Sequence, residues 1–378
     1  MKIKVLQVVG NLKIGGAETV AMNIYRYIDR DKFEFHYLVY GDNIGHYEDE
    51  VKSLGGTVIH MNYSPKNISK YKSDLKNIID QYGPYDIVHS HMMFHNGFVL
   101  KYSAKLGIPI RISHSHSAND GKFTENKIET LIKNCYLKLS QYWIKKYSML
   151  YIACGNAAGE CLYGESFFKK NGIVINNGIN IKKYSYNNDI RQMMRKKYRL
   201  EGQNVYACIG HFETVKNHEF LIKIFNEIHK VNKNTKLILL GEGVLKKTIE
   251  EQVKKANLND DVIFTGNVDN VNEWMQAIDF LLMPSLFEGV PITLIEAQAA
   301  GLKCFVSDRV SKEVDITGSI KFISLDDDIN EWINIANEKT NYQRNLNICK
   351  LSEMGYDVES NIKVIESEYL KLLESLNE

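Results

Sequence analysis

The segment Phe280–Gly301 constrains the fold more than any other part of the chain. It opens with Phe280-Leu281-Leu282-Met283, a short apolar run of the kind that forms a parallel strand covered on both faces. A tight turn carrying Glu288 follows, and then a stretch from Pro291 with helical patterning. Pro291 suits the first helical position, where a missing N–H costs nothing, and Gly301 suits the residue past the helix end. A strand that feeds a helix in this way belongs to an α/β architecture. The helix start points unbonded N–H groups and a partial positive charge at whatever lies above the strand, and an anion is the natural occupant. Glu296 falls about a turn and a half inside the helix, at roughly 3.6 residues per turn.

The rest of the chain repeats the same plan. In the first half, strands are expected at Ile3–Val9, Phe35–Tyr40, Val58–Met61, Asp86–His89, Ile110–Ser113 and Met149–Ala153. Helices are expected at Gly15–Ile28, near Tyr71–Gln81 and over Leu131–Tyr147. In the second half, strands are expected at Val205–Ile209, Lys236–Leu240, Val262–Thr265, Phe280–Met283 and Cys304–Ser307. Alternation of this kind predicts parallel sheets with helices on both faces. At 378 residues the chain exceeds one ordinary core. The polar turn near Asn176–Asn180 separates the halves, giving an N-terminal Rossmann-like domain over 1–172 and a C-terminal one over 173–357. The stretch over 358–378 has the pattern of one long final helix.

Composition narrows the function. A net charge of +1 gives no global pull toward nucleic acid. The six cysteines form no CxxC pair and read as small hydrophobes in a reducing compartment. No apolar run reaches membrane-spanning length and the N-terminus lacks a signal-peptide pattern, so a cytoplasmic location is expected.

Two acids beside an anion would repel it if they faced it. They are reconciled with it if they accept hydrogen bonds from hydroxyls on either side, a sugar on one and a ribose on the other, as in a nucleotide-sugar. Glu288, seven residues and then Glu296, set in EGVPITLIEAQAAG, resemble the donor site of retaining glycosyltransferases of the GT-B fold, family GT4. The resemblance implies two Rossmann-like parallel-sheet domains facing a central cleft, with the last helix crossing back. It implies transfer of a hexose-type sugar, UDP-sugars being the commoner donors, with no metal or other cofactor.

The resemblance also assigns residues. Glu288 would hold the sugar and Glu296 the ribose, with Gly289, Val290 and the helix start at Pro291 at the diphosphate and Leu294 also among the donor-binding residues. Lys216, in Lys216-Asn217, would neutralise the leaving diphosphate. His211 stands where the family commonly has arginine, and losing such a donor can cost roughly 3 kcal/mol, on the order of a hundredfold in rate. Arg309 or Lys303 is the candidate replacement for that charge. Gly15 and Gly16 open the first helix and would border donor phosphates and acceptor; Gly241 would flank the nucleotide and Asn267 the base. His114 is the first choice for a histidine contacting the transferred sugar, and His116 the second. His89-Ser90-His91 with His95 has a superficially metal-like spacing, but no acid or cysteine joins it, and no metal is expected.

The acceptor follows from the same likeness. GGAE, HSH and KNHEFL look like bacterial enzymes that build capsular or exopolysaccharide units on lipid-linked saccharides at the inner membrane face. The stripe Ile132, Cys135, Tyr136, Leu139, Trp143 and Tyr147 is expected to face a core, with contact to a membrane surface as the alternative. Two rival functions share most of these features: a UDP-sugar epimerase of the same fold, and a weakly catalytic subunit that binds nucleotide-sugar beside a partner enzyme.

Overall fold

The computed structural model describes residues 2–62, 68–118, 127–326, 329–344 and 348–376. The chain divides into two compact units, Met1–Gly178 with Val358–Glu378, and Ile179–Asp357.

The first unit is built on seven strands: β1 Ile3–Val8, β2 Phe33–Tyr40, β3 Thr57–Met61, β4 Ile87–Ser90, β5 Ile110–Ser115, β6 Leu150–Ala153 and β7 Gly172–Val174. They lie in the order β3-β2-β1-β4-β5-β6-β7, all parallel. The second unit has β8 Asn204–Ile209, β9 Thr235–Leu240, β10 Val262–Gly266, β11 Phe280–Met283, β12 Lys303–Ser307 and β13 Ile320–Ile323, in the order β10-β9-β8-β11-β12-β13, again all parallel. In each sheet the chain winds outward one way and then jumps back beside its first strand. That reversal opens a crevice above the carboxyl ends of β1 and β4 in one unit and of β8 and β11 in the other, where open α/β sheets hold ligands.

The central strands are apolar on both faces because helices cover both. Val5, Leu6 and Val8 of β1, and Leu281, Leu282 and Met283 of β11, are essentially without exposure. At about 1.5–3 kcal/mol per fully buried aliphatic side chain, this burial is the main force holding each sheet in its sandwich. The last helix, Val358–Glu374, buries Val358, Ile362, Ile365 and Tyr369 in the first unit's core.

Two strands escape the sequence pattern. β7 is only three residues long, and β13 is an edge strand with an exposed Lys321 and a half-buried Phe322 in its middle. Missing β7 sets the expected division six residues early. Residues 173–178 belong with the first unit: β7 pairs with β6, and the Asn361 amide donates to the Asn176 carbonyl at 2.8 Å. The chain leaves this unit at Gly178, where a Cβ would stand 2.8 Å from the Val358 backbone, so the outgoing and returning strands of chain need a glycine to pass.

The helix Lys127–Tyr147 departs from expectation more deeply. Its inward side is Ser140 and Ile144, with Tyr136 and Trp143 partly covered, while Ile132 and Leu139 of the expected core stripe are exposed. The covered face is rotated from the one the apolar spacing suggested. Phe98, beside Tyr136 and Trp143 in ring contact, claims that side of the helix.

Candidate functional site

In the second unit the loops after β8 and β11 meet. After β8 the chain runs through Gly210 and His211 into the single 3-10 turn Thr214–Lys216, which ends at Asn217 in the left-handed region, φ 55°. Asparagine tolerates that conformation better than most residues. The turn folds Lys216 back over Gly210, where a Cβ would lie 3.1 Å from Lys216 Cε. The loop after β11 is tied to this turn by Leu286 N–H donating to Val215 O at 2.8 Å. It is tied on its other side by Ser311 N–H donating to Glu288 O at 3.2 Å. These restraints bring Lys216 Nζ to 2.5 Å from Glu288 Oε1, with both side chains less than a fifth exposed. Three residues past Glu288 stands Pro291, which is the N-cap of the helix Ile292–Ala299 and not its first helical residue. No side chain caps that helix. Gly301 closes it with φ +65°, as its position past the helix end requires.

Glu296, on this helix, accepts from the Tyr184 hydroxyl at 2.5 Å. Burial pushes its carboxyl up to about 7, opposed by the Tyr184 hydrogen bond and the Lys183 charge. Between the usual 4.5 and about 7 the folded chain keeps a proton that the unfolded chain releases, so Glu296 erodes stability as pH rises through that window. The Glu296→Gln protein is expected to melt above wild type at about pH 8 and to lose that advantage near pH ~4.5. Thermal melts at the two pH values check this; an equal difference at both would refute it.

Other expected site residues fall differently. Leu294 is fully buried in the core and its N–H is spent on Pro291 O, so it packs the helix and does not reach a ligand. Arg309 donates to both oxygens of Asp326, at 2.7 and 2.9 Å. Lys303 begins β12, at the end of the strand opposite the site, and pairs with Glu338 at 3.0 Å. In this structure neither is paired at His211: Arg309 is turned to Asp326 and Lys303 to Glu338. His211 itself is exposed, with Nδ1 3.3 Å from the Glu242 carbonyl oxygen. Gly241 adopts φ +142° and packs against the Gly210 carbonyl so closely that no Cβ fits, which makes it a crossing point between the loops after β8 and β9. Asn267 is exposed just beyond β10, and Gly289 and Val290 are exposed on the Glu288 loop.

In the first unit, Gly15 is the N-cap of the helix Gly16–Tyr27, and the Glu18 carboxylate folds directly over it. A Cβ at Gly16 would meet open space. Burial raises the Glu18 carboxyl, offset in part by a backbone hydrogen bond. At the carboxyl ends of β4 and β5, four histidines stack in a block: His89, His91, His114 and His116 have neighbouring ring centroids 4.2–5.3 Å apart. His114 has no exposed surface, whereas His116 is partly exposed at the strand end. Burial separates the two expected histidines: His116 is the more accessible and His114 lies behind it. Burial holds all four rings far below the ordinary imidazole range, His89 and His116 at about 3.

Three contributors escape a reading of motifs. Tyr184 carries no signal of its own. Gln7 is the buried polar residue of the strand Ile3–Val8, and Tyr369 lies on the apolar stripe of the last helix. Both are fully buried against the histidine block.

Comparison with known proteins follows the same lines. Residues 14–183 match the family described as Glycosyltransferase Family 4, and residues 189–323 match Glycosyl transferases group 1. EpsF of Bacillus subtilis (strain 168), named as a glycosyltransferase, is 31% identical over 377 residues, covering 97% of this chain and 96% of EpsF. The Staphylococcus aureus capsular polysaccharide biosynthesis glycosyltransferase CapH is 28% identical over 300 residues, 78% of each chain. The Escherichia coli UDP-Gal:alpha-D-GlcNAc-diphosphoundecaprenol alpha-1,3-galactosyltransferase is 22% identical over 391 residues, 98% of each. Among solved structures, Anabaena Alr3699/HepE in complex with UDP and glucose superposes with a TM-score of 0.76 at 16% identity, covering 98% of this chain and all of that one. With both units wound as above, and with a relative this similar over nearly its full length, the chain belongs to glycosyltransferase family 4 and has the GT-B fold.

Proposed function

We propose that the protein transfers a sugar, with retention of anomeric configuration, from a UDP-sugar to a lipid-linked saccharide in capsule or exopolysaccharide synthesis. The observation that carries this reading is the Lys216–Glu288 pair at the β8/β11 crevice, beside an uncapped helix start. A diphosphate set against the Ile292 end takes the helix N–H groups and the Lys216 ammonium. Glu288 takes a sugar hydroxyl and Glu296 the ribose. As the bond from the anomeric carbon to the phosphate oxygen breaks, negative charge grows on the diphosphate, where fixed donors act most strongly. The acceptor hydroxyl attacks on the same face and its proton passes to the departing phosphate oxygen. Glu288 and Glu296 flank one helix start, one bound to Lys216 and the other to Tyr184. Hydrolysis by paired carboxylates would instead place them on either side of the sugar bond, about 5–9 Å apart.

The E. coli relative is named for a UDP-sugar donor and a diphosphoundecaprenol acceptor, which supports that substrate class here. Among the described residues no helix is long and apolar enough to cross a membrane. The helix Lys127–Tyr147 supports peripheral contact at the inner membrane face. Leu131, Ile132, Leu139 and Tyr142 are exposed on one side of it, at 43–64%, with Lys138, Lys145 and Lys146 around them. Apolar groups enter the acyl boundary while lysines meet anionic headgroups. Leu131→Glu combined with Leu139→Glu is expected to weaken binding to anionic vesicles about tenfold in co-sedimentation, because both changes put charge into the boundary. Undiminished binding would remove the membrane from the reading.

The whole reading is tested by incubating the protein with a panel of nucleotide-sugars, with and without a lipid-diphosphate saccharide, and following UDP release and product configuration by NMR. Failure of every nucleotide-sugar to react, or an inverted product, would overturn it. UDP binding without turnover in the presence of lipid acceptor would favour the non-catalytic subunit.

A further inference from the structure

Two hydrogen-bonded chains run through the histidine block, and both begin at Gln7. The Gln7 carbonyl oxygen lies 2.7 Å from His91 Nε2, and His91 Nδ1 lies 2.7 Å from His116 Nε2. The Gln7 amide nitrogen donates toward the Tyr369 hydroxyl at 3.4 Å. Tyr369 oxygen lies 2.6 Å from His89 Nδ1, and His89 Nε2 lies 3.2 Å from His114 Nδ1. Gln7, His89 and His114 have no exposed surface, His91 very little and Tyr369 none.

A neutral imidazole carries one N–H and one bare nitrogen, so each bond in a chain dictates the next. The Gln7 carbonyl only accepts, so His91 holds its proton on Nε2 and leaves Nδ1 bare. His116 then donates from Nε2 and is left with a bare Nδ1. In the other chain, the Tyr369 oxygen accepts from Gln7, and the buried Tyr369 O–H has His89 Nδ1 as its acceptor at 2.6 Å, so it donates there. His89 donates from Nε2 to His114 Nδ1, leaving His114 with an N–H on Nε2. The two terminal atoms, His116 Nδ1 and His114 Nε2, have no partner among the described residues although both are buried. A buried polar atom without a partner costs about 1–3 kcal/mol. The two rings carrying these atoms are stacked 4.2 Å apart at the carboxyl end of β5. One end accepts and the other donates, the two halves of what a hydroxyl offers.

We propose that Gln7 and Tyr369 are positioning residues that lock the histidine tautomers, so that His116 Nδ1 is held as a bare acceptor for a sugar hydroxyl. This rests on the sugar-transfer reading above for the identity of the ligand, but not for the tautomers. The same three nitrogens that come within 4.8 Å of one another, on His89, His91 and His114, would suit an ion only if their lone pairs were free to converge. Here the lone pairs of His91 and His114 are spent within the chains, and the rings stack instead of pointing at one centre.

The test is 15N NMR of histidine-labelled protein without substrate, which reads protonation at each ring nitrogen. Wild type is expected to show Nε2–H, bare Nδ1 and no imidazolium at all four rings. Gln7→Met, which keeps the side-chain size, removes the acceptor for His91 and is expected to mix the tautomers of His91 and His116. Tyr369→Phe is expected to mix those of His89 and His114 and to leave His116 alone. A single His116 tautomer unmoved by Gln7→Met, a charged His116, or stoichiometric zinc retained by the purified protein would each overturn the proposal. In turnover, Gln7→Met is expected to slow sugar transfer about tenfold while UDP affinity, set in the other unit, stays as in wild type. Unchanged transfer despite a shifted tautomer would sink the hydroxyl role. A wild type that reacts with no nucleotide-sugar would sink the transferase reading, while the spectra still decide the lock.

Discussion

Lys216→Met is expected to lower the turnover number for sugar transfer by about a hundredfold or more, with a smaller change in the apparent affinity for donor. The reasoning starts from charge. The ammonium has three N–H donors, and its ion pair with Glu288 on one side leaves donors for phosphate oxygens. The diphosphate is more negative as it leaves than when it is bound as an ester. A fixed cation therefore stabilises the transition state more than the ground state, and its loss appears in the rate. Lys216 is preorganised by the Thr214–Lys216 turn, the left-handed Asn217 and the closeness of Gly210. Among the described residues, Arg309 pairs with Asp326 and Lys303 sits with Glu338 at the far end of β12, so neither is held beside Glu288 as Lys216 is. Initial-rate measurements of UDP release over a range of donor concentrations check this. A turnover number equal to wild type would show that the diphosphate does not leave against Lys216.

Much of this could be read before any coordinates. The runs Leu237–Leu240 and Phe280–Met283 are short and wholly apolar, and such strands have few alternatives to the middle of a parallel sheet. The turn chemistry of Pro291 and Gly301 fixed where one helix starts and stops to within a residue. What failed was whatever depends on neighbours distant in sequence. Leu294 follows the diphosphate loop by a few positions, but the helical repeat turns it into the core. His114 and His116 have the same local pattern, and only their depth along β5 separates a buried ring from one at the edge. Arg309 is committed by Asp326, which no spacing rule connects to it. The helix Lys127–Tyr147 has apolar residues on more than one side, so periodicity alone could not say which side the rest of the unit would cover.

Glu288→Gln is expected to separate binding from turnover. Glutamine keeps the size of the side chain and removes its charge. Without that carboxylate the Lys216 ammonium is no longer neutralised at 2.5 Å, and a like charge disappears from beside the diphosphate. UDP alone should therefore bind about fivefold more tightly, equivalent to about 1 kcal/mol for a partly screened charge. Transfer should move the other way and slow by about a hundredfold, because a carboxylate holds a sugar hydroxyl more strongly than an amide does, and a reacting sugar must be held still. Neither general unfolding nor a collapsed loop gives tighter UDP binding with slower chemistry, so the combination is diagnostic. Calorimetric titration with UDP and donor turnover on the same preparation measure both halves. The double variant with Lys216→Met then closes a thermodynamic cycle: the gain in UDP affinity should vanish, since the cation that Glu288 was masking is gone. A gain that persists without Lys216 would mean that Glu288 acts on the nucleotide directly, and the division of roles between these two residues would have to be redrawn.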